Sequence, residues 1–130
     1  MTLIACIANN NGILFNKRRV SKDALLIERL REIINTNILY CSEYSKSLFS
    51  DFNNLTNDIT TLTNGSFYFL EDENIPNIIF NKIIIYKWNR DYPADKFFEY
   101  DLSEYTLESQ TDFKGNSHDL ITELIYTKEI

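Results

Sequence analysis

The segment Leu3-Ile4-Ala5-Cys6-Ile7-Ala8 is apolar at every position and stops at the turn formers Asn9-Asn10-Asn11-Gly12. A run this short, apolar throughout and bounded by turn residues, reads as a buried strand. The runs Ile38-Leu39-Tyr40-Cys41, 66–70 and the isoleucine-rich 82–88 read the same way. Between the first two runs, Ser21 stands where a helix N-cap belongs and Asp23 falls in the first turn, where a carboxylate suits the helix dipole. Leu26, Ile27, Leu30, Ile33 and Ile34 follow at helical spacing, so the pattern predicts a helix over 21–34.

Ser42 is placed to cap a short helix whose Tyr44, Leu48 and Phe52 share a face, and Leu55, Ile59 and Leu62 predict one more. Segments 105–113 and 120–128 read as long strands around Lys114-Gly115-Asn116-Ser117, a C-terminal hairpin. Strands separated by helices pair in parallel, and the closing hairpin adds an antiparallel edge. The expected fold is therefore α/β: one domain over residues 1–130, with a mixed, mostly parallel sheet flanked by helices.

With 130 residues the chain has room for one core. Its net charge of −6 would repel a nucleic acid, so no nucleic-acid partner is expected. An acidic balance suits a basic protein partner instead. Cys6 and Cys41 lie inside apolar runs, as buried thiols do, and two cysteines make no disulfide framework. Leu3-Ile4-Ala5-Cys6 mimics a lipoprotein cleavage box, but no basic segment or long apolar stretch precedes it. No run approaches membrane-spanning length, and a cytoplasmic location is expected.

The residues 2–13, Val20-Ser21-Lys22-Asp23, 97–107, Asp112-Phe113-Lys114-Gly115 and the stretch on to Tyr126 resemble dihydrofolate reductase. That resemblance implies a truncated reductase-like scaffold, with Asp23 at the position of the carboxylate that holds the pterin ring. The departures fall on the chemistry. Where those enzymes place Gly-Arg-Lys-Thr for the NADPH phosphates, this chain has Cys41-Ser42-Glu43-Tyr44. Where they place a Gly-Gly pair, it has Phe69-Leu70-Glu71-Asp72-Glu73, which sets bulk and negative charge against a pyrophosphate. No cofactor and no metal are expected.

Segments 14–23, 86–95 and 113–118 are also similar to small bacterial proteins, some labelled ribonuclease Z. That enzyme needs a dense His/Asp cluster for two zinc ions, and this chain has one histidine, so the label does not carry over. Small acidic proteins of this kind resemble the immunity partners of contact-dependent inhibition toxins. The favoured function is a non-enzymatic immunity protein that neutralises a toxin domain of nuclease type. A divergent reductase, or a pteridine or nucleotide binder, is the alternative.

Each candidate residue carries two readings. Asp23 is a pterin-holding acid under the reductase alternative, and otherwise a helix N-terminal carboxylate, which is favoured. His118 is a general base or a structural hydrogen-bonder; with no nucleophile visible near it in sequence, the structural role is favoured, and no spacing singles out a Ser/His/Asp triad. Trp88, Arg90 and Tyr92, in the aromatic and charged stretch 88–95, are binding hot-spot residue types, or else form an ordered loop with a Trp lid and an Arg90–Asp95 pair. Glu71, Asp72, Glu73, Asp101 and Glu104 are acidic groups on expected exposed connections, suited to a basic partner. Lys17-Arg18-Arg19 reads as a clamp against nearby carboxylates.

Overall fold

The computed structural model describes residues 1–129. In chain order the strands are β1 (Thr2–Ile7), β2 (Gly12–Phe15), β3 (Arg18–Arg19), β4 (Leu39–Tyr40), β5 (Leu55–Thr56), β6 (Phe67–Phe69), β7 (Lys82–Lys87), β8 (Lys96–Phe97), β9 (Thr106–Phe113) and β10 (Ile121–Thr127), with one α-helix, α1 (Ala24–Ile34), between β3 and β4. Seven strands form the main sheet in the order β5-β4-β6-β1-β7-β10-β9, and β3-β2-β8 form a small second sheet.

The two longest apolar runs sit together at the centre. β1 pairs in parallel with β7, from Thr2↔Lys82 to Ile7↔Lys87, and with β6 on its other side. β10 closes antiparallel on β7, and β9 antiparallel on β10, with an irregularity between Ile125 and Tyr126. The fold is thus a single-domain α/β arrangement with a mixed, mostly parallel sheet and a C-terminal antiparallel pair.

Strand alternation divides the core. Leu3, Ala5, Ile7, Ile83 and Ile85 face one side with Tyr68, Phe80 and Phe98, while Ile4, Ile84 and Tyr86 face the other. Helix α1 lies on the second side and buries Leu26, Leu30 and Ile34, which recur every fourth residue. Each such side chain stabilises the fold by about 1.5–3 kcal/mol on burial. The first side is covered by β2, through Ile13 and Leu14, and by coil, through Ile75, Ile78, Leu102 and Tyr105.

Helices are fewer than the sequence pattern predicts. The cap of α1 is Asp23 rather than Ser21, because the Asp23 carboxylate accepts the Leu25 and Leu26 amides while the Ser21 hydroxyl turns to His118. The Ser42-capped helix is a single 3₁₀ turn, Ser45–Leu48, with Ser42 Oγ accepting the Ser45 amide. The helix expected from Leu55 to Leu62 is β5 followed by a 3₁₀ turn over Ile59–Thr61. Asp58 diverts it: its side chain takes both the amide and the hydroxyl of Thr60, and the residues around it are too exposed for packing to favour a longer helix. No described helix is long and apolar enough to cross a membrane.

Candidate functional site

The carboxyl ends of parallel strands are where open α/β sheets place their ligands. Two polar clusters occupy that end here.

The first is centred on Asp23, which is buried. Its Oδ1 accepts the amides of Leu25 (3.0 Å), Leu26 (3.3 Å) and Asn116 (2.9 Å). Its Oδ2 accepts the Ser117 amide (2.9 Å), the Ser117 hydroxyl (3.2 Å) and His118 Nδ1–H (2.9 Å). One carboxylate thereby caps α1 and anchors the β9–β10 connection. Burial alone would push its pKa up, but the amides of Asn116 and Ser117, the His118 imidazole and the Leu26 amide together hold it well below the usual carboxylate range. A side chain at Gly115 would collide with this carboxylate and with Ile121, so the loop approaches closely only because glycine stands there.

A carboxylate only accepts, so the proton shared with it lies on His118 Nδ1, and in the neutral imidazole Nε2 is then the acceptor. That nitrogen is 2.9 Å from Ser21 Oγ, whose O–H it accepts in the neutral tautomer. The Tyr92 hydroxyl lies 3.4 Å from both Ser21 Oγ and His118 Nε2. Trp88 stacks on the imidazole with ring centroids 4.6 Å apart, holding its plane. Asn89, in the left-handed region at φ 59°, hydrogen-bonds the Leu120 carbonyl and Thr122, and Arg90 donates to the Ser117 carbonyl. Segment 88–92 is thus laced to the 114–120 loop. Serine, histidine and aspartate stand in series, an arrangement drawn from residues some 95 positions apart.

The second cluster gathers residues from the two stretches that stand in place of the reductase-like phosphate motifs, Ser42 and Glu71 to Glu73. Arg19 makes a two-pronged pair with the buried Glu71, at 2.8 and 3.1 Å. Ser45 donates to Glu71 and Ser42 to Asp72, while Tyr40 donates to Glu73. The Lys96 ammonium is held by the carbonyls of Glu71 and Glu73. The hollow beside it, lined by Ser42, Glu43, Lys46 and Asn57, measures about 210 Å³. That is below the usual range for a drug-sized ligand; a second groove of about 580 Å³ beside the cluster sets the exposed Asp72 and Asp95 carboxylates where a phosphate would need donors. The residues present do not fit NADPH.

These positions revise several expectations. Glu71 is buried rather than exposed, because Arg19 turns it inward, and Trp88 takes the lid reading rather than the hot-spot one, buried and stacked on His118. Asp72 and Arg90 are exposed, as are Asp101 and Glu104, while Glu73 and Tyr92 are half-buried. Arg90 bonds the Ser117 carbonyl and not Asp95, which accepts the Asn16 amide instead. The expected clamp of the basic run is made by Arg19. A hydroxyl does stand beside His118, that of Ser21, whose capping position in the sequence gave it a sufficient local role. Among the described residues, no group of three or more His, Cys, Asp and Glu side chains is placed to hold a metal ion.

No protein-family model matches the sequence, and no curated protein matches it. Solved structures do match. The dihydrofolate reductase from Enterococcus faecalis, solved with NADP(H) and RAB-propyl, aligns over 99% of this chain and 96% of its own, with a TM-score of 0.68 and 8% sequence identity. The chain has a dihydrofolate reductase-like fold. At that identity the likeness speaks to the fold alone.

Proposed function

We propose that this chain works by binding a basic protein partner, as an immunity protein neutralises a toxin domain of nuclease type. The observation that carries this reading is the connection between β7 and β9. Asp91, Asp95, Glu99, Asp101 and Glu104 on it are all exposed. Its one lysine, Lys96, is spent on the carbonyls of Glu71 and Glu73, and Glu104 alone of the five acids is paired with a cation, Lys128. Against these five acids the connection sets one exposed cation, Arg90, and a predominantly negative surface steers an oppositely charged partner and suits a cationic catalytic cleft. The self-paired corner around Arg19 and Glu71 supports the same reading by removing the groups that nicotinamide chemistry needs.

The alternative, a pteridine binder, draws on a groove of about 580 Å³ beside Asp23, floored by Ala24, Ile27 and Leu48. Asp23 argues against it. Both carboxylate oxygens are already saturated, and a carboxyl held ionised is a poor proton donor.

The test is co-expression with the protein encoded immediately upstream. A stable complex that abolishes that protein's toxicity supports the reading. No complex and no rescue of poisoned cells would overturn it.

A further inference from the structure

The Ser21–His118–Asp23 series has a geometry that neither cap formation nor partner binding requires. A structural histidine needs acceptors and donors of any kind; this one has a buried carboxylate on Nδ1 and a hydroxyl on Nε2, each at 2.9 Å. Nucleophile, base and base-orienting acid are recognised by such mutual geometry rather than by sequence order. The orienting acid is itself immobilised by amides from two separate elements, so the imidazole cannot swing away. A groove of about 550 Å³ lies on the side of Val20 and Tyr92. Its walls include Val20, the residue before Ser21, and Tyr92, whose hydroxyl reaches Ser21 Oγ; Phe15 and Pro93 add apolar surface, and Arg18 brings a cation. Among the described residues Arg18 has no carboxylate partner within ion-pair distance, unlike its neighbour Arg19.

We propose that Ser21 is an activated nucleophile, with His118 as its general base and Asp23 as the group that orients the base, acting on carboxylic esters that carry an anionic group. Ser21 Oγ adds to the ester carbonyl carbon while its proton passes to His118 Nε2. The bond from that carbon to the alcohol oxygen breaks as the same proton is delivered to the departing alcohol. The acyl group is left on Ser21. Water, deprotonated in turn by His118, attacks the acyl carbon, releases the carboxylic acid and restores the serine. The Tyr92 hydroxyl is the donor placed to meet the oxyanion, Phe15 and Pro93 give the acyl chain an apolar wall, and Arg18 takes the anionic group.

The experiment treats the whole purified chain, without any partner, with a fluorophosphonate probe, which loses fluoride to form a covalent bond to an activated serine oxygen. Intact mass and peptide mapping locate the adduct. A single adduct on Ser21 is expected, absent in Ser21→Ala and unchanged in Ser103→Ala, an exposed serine outside the site. His118→Gln slows labelling at least about 100-fold. Tyr92→Phe, a milder change that keeps the ring, slows it by about 100-fold if His118→Gln fails to fold. With p-nitrophenyl esters as substrates, Arg18→Gln raises KM for a succinate monoester by a larger factor than for the uncharged butyrate ester. A folded wild-type chain that takes no adduct at Ser21, or labelling that is indifferent to both His118→Gln and Tyr92→Phe, overturns the proposal. Since no partner is present, the result is separable from the partner-binding reading.

Discussion

The two polar clusters at the carboxyl end of the sheet spend their charge in opposite ways. Around Glu71, a guanidinium meets a carboxylate, and an ammonium fills the carbonyls beside it, so each charge is consumed by its neighbours. Around Asp23, one negative charge is held mainly by neutral donors, and the chain of bonds ends in an imidazole lone pair and a hydroxyl. An ion pair locks two elements together and leaves little to react. A carboxylate held by amides fixes a geometry and leaves the far end of the series poised. A reductase-like frame thus holds an internally paired charge cluster at one corner and an ordered polar site at the other.

Removing the hub of each cluster tests that contrast, and Asp23 carries the larger effect. Asp23→Ala strips the acceptor from the α1 cap, the 114–118 loop and His118 together, and costs about 3–5 kcal/mol in urea unfolding. A loss below about 1 kcal/mol would show that the loop finds other acceptors and that the hub is not one. In the other corner, Arg19→Ala leaves a buried carboxylate unpaired and costs about 3 kcal/mol, but Arg19→Met combined with Glu71→Leu returns most of it. A double variant as unstable as the single one would mean that the ion pair does more than lock.

Acid sharpens the comparison. Asp23 and Glu123 both have pKa values below the ordinary carboxylate range. Burial opposes this in each, and is outweighed in Asp23 by amides and His118, and in Glu123 by Arg29 and Tyr86. A depressed folded-state pKa contributes stability that is present above the unfolded value, about 4, and is lost as pH falls through the folded value. Stability should accordingly hold down to about pH 5 and decline below about pH 4. Asp23→Asn, measured by urea midpoint against pH, flattens that decline; an unchanged acid limb would place the titration elsewhere. The smallest effect on the fold is expected on the surface. Glu99→Lys with Asp101→Lys leaves stability within about 0.5 kcal/mol, while association with a basic partner slows about tenfold. An unaffected association rate would move the contact surface off the β7–β9 connection.

The sheet was legible because its central strands are buried on both faces and write themselves as apolar runs. The helix was legible through Leu26, Leu30 and Ile34. Asp58 and the threonines near it defeated the second helix, since short polar side chains redirect the local backbone in ways that apolar spacing does not register. Asp23 and His118 were visible as candidates, yet their contact was not. It depends on Gly115 letting the 114–118 loop close on the α1 terminus, which is a tertiary fact. Glu71 read as exposed because a charge triplet gives no sign that Arg19, 52 positions earlier, will draw its first member inward.

In both corners the groups that a reductase offers its ligands are replaced by carboxylates or already engaged within the chain. Thermal unfolding of the intact chain with NADPH or folate at about 1 mM measures this directly. A ligand binding at micromolar affinity would add about 4 kcal/mol of stability at that concentration and raise the melting temperature by many degrees. The structure predicts no shift with either compound. A dose-dependent rise with NADPH would contradict the self-paired corner around Arg19 and Glu71, and a rise with folate alone would show that Asp23 releases its loop donors to a ligand.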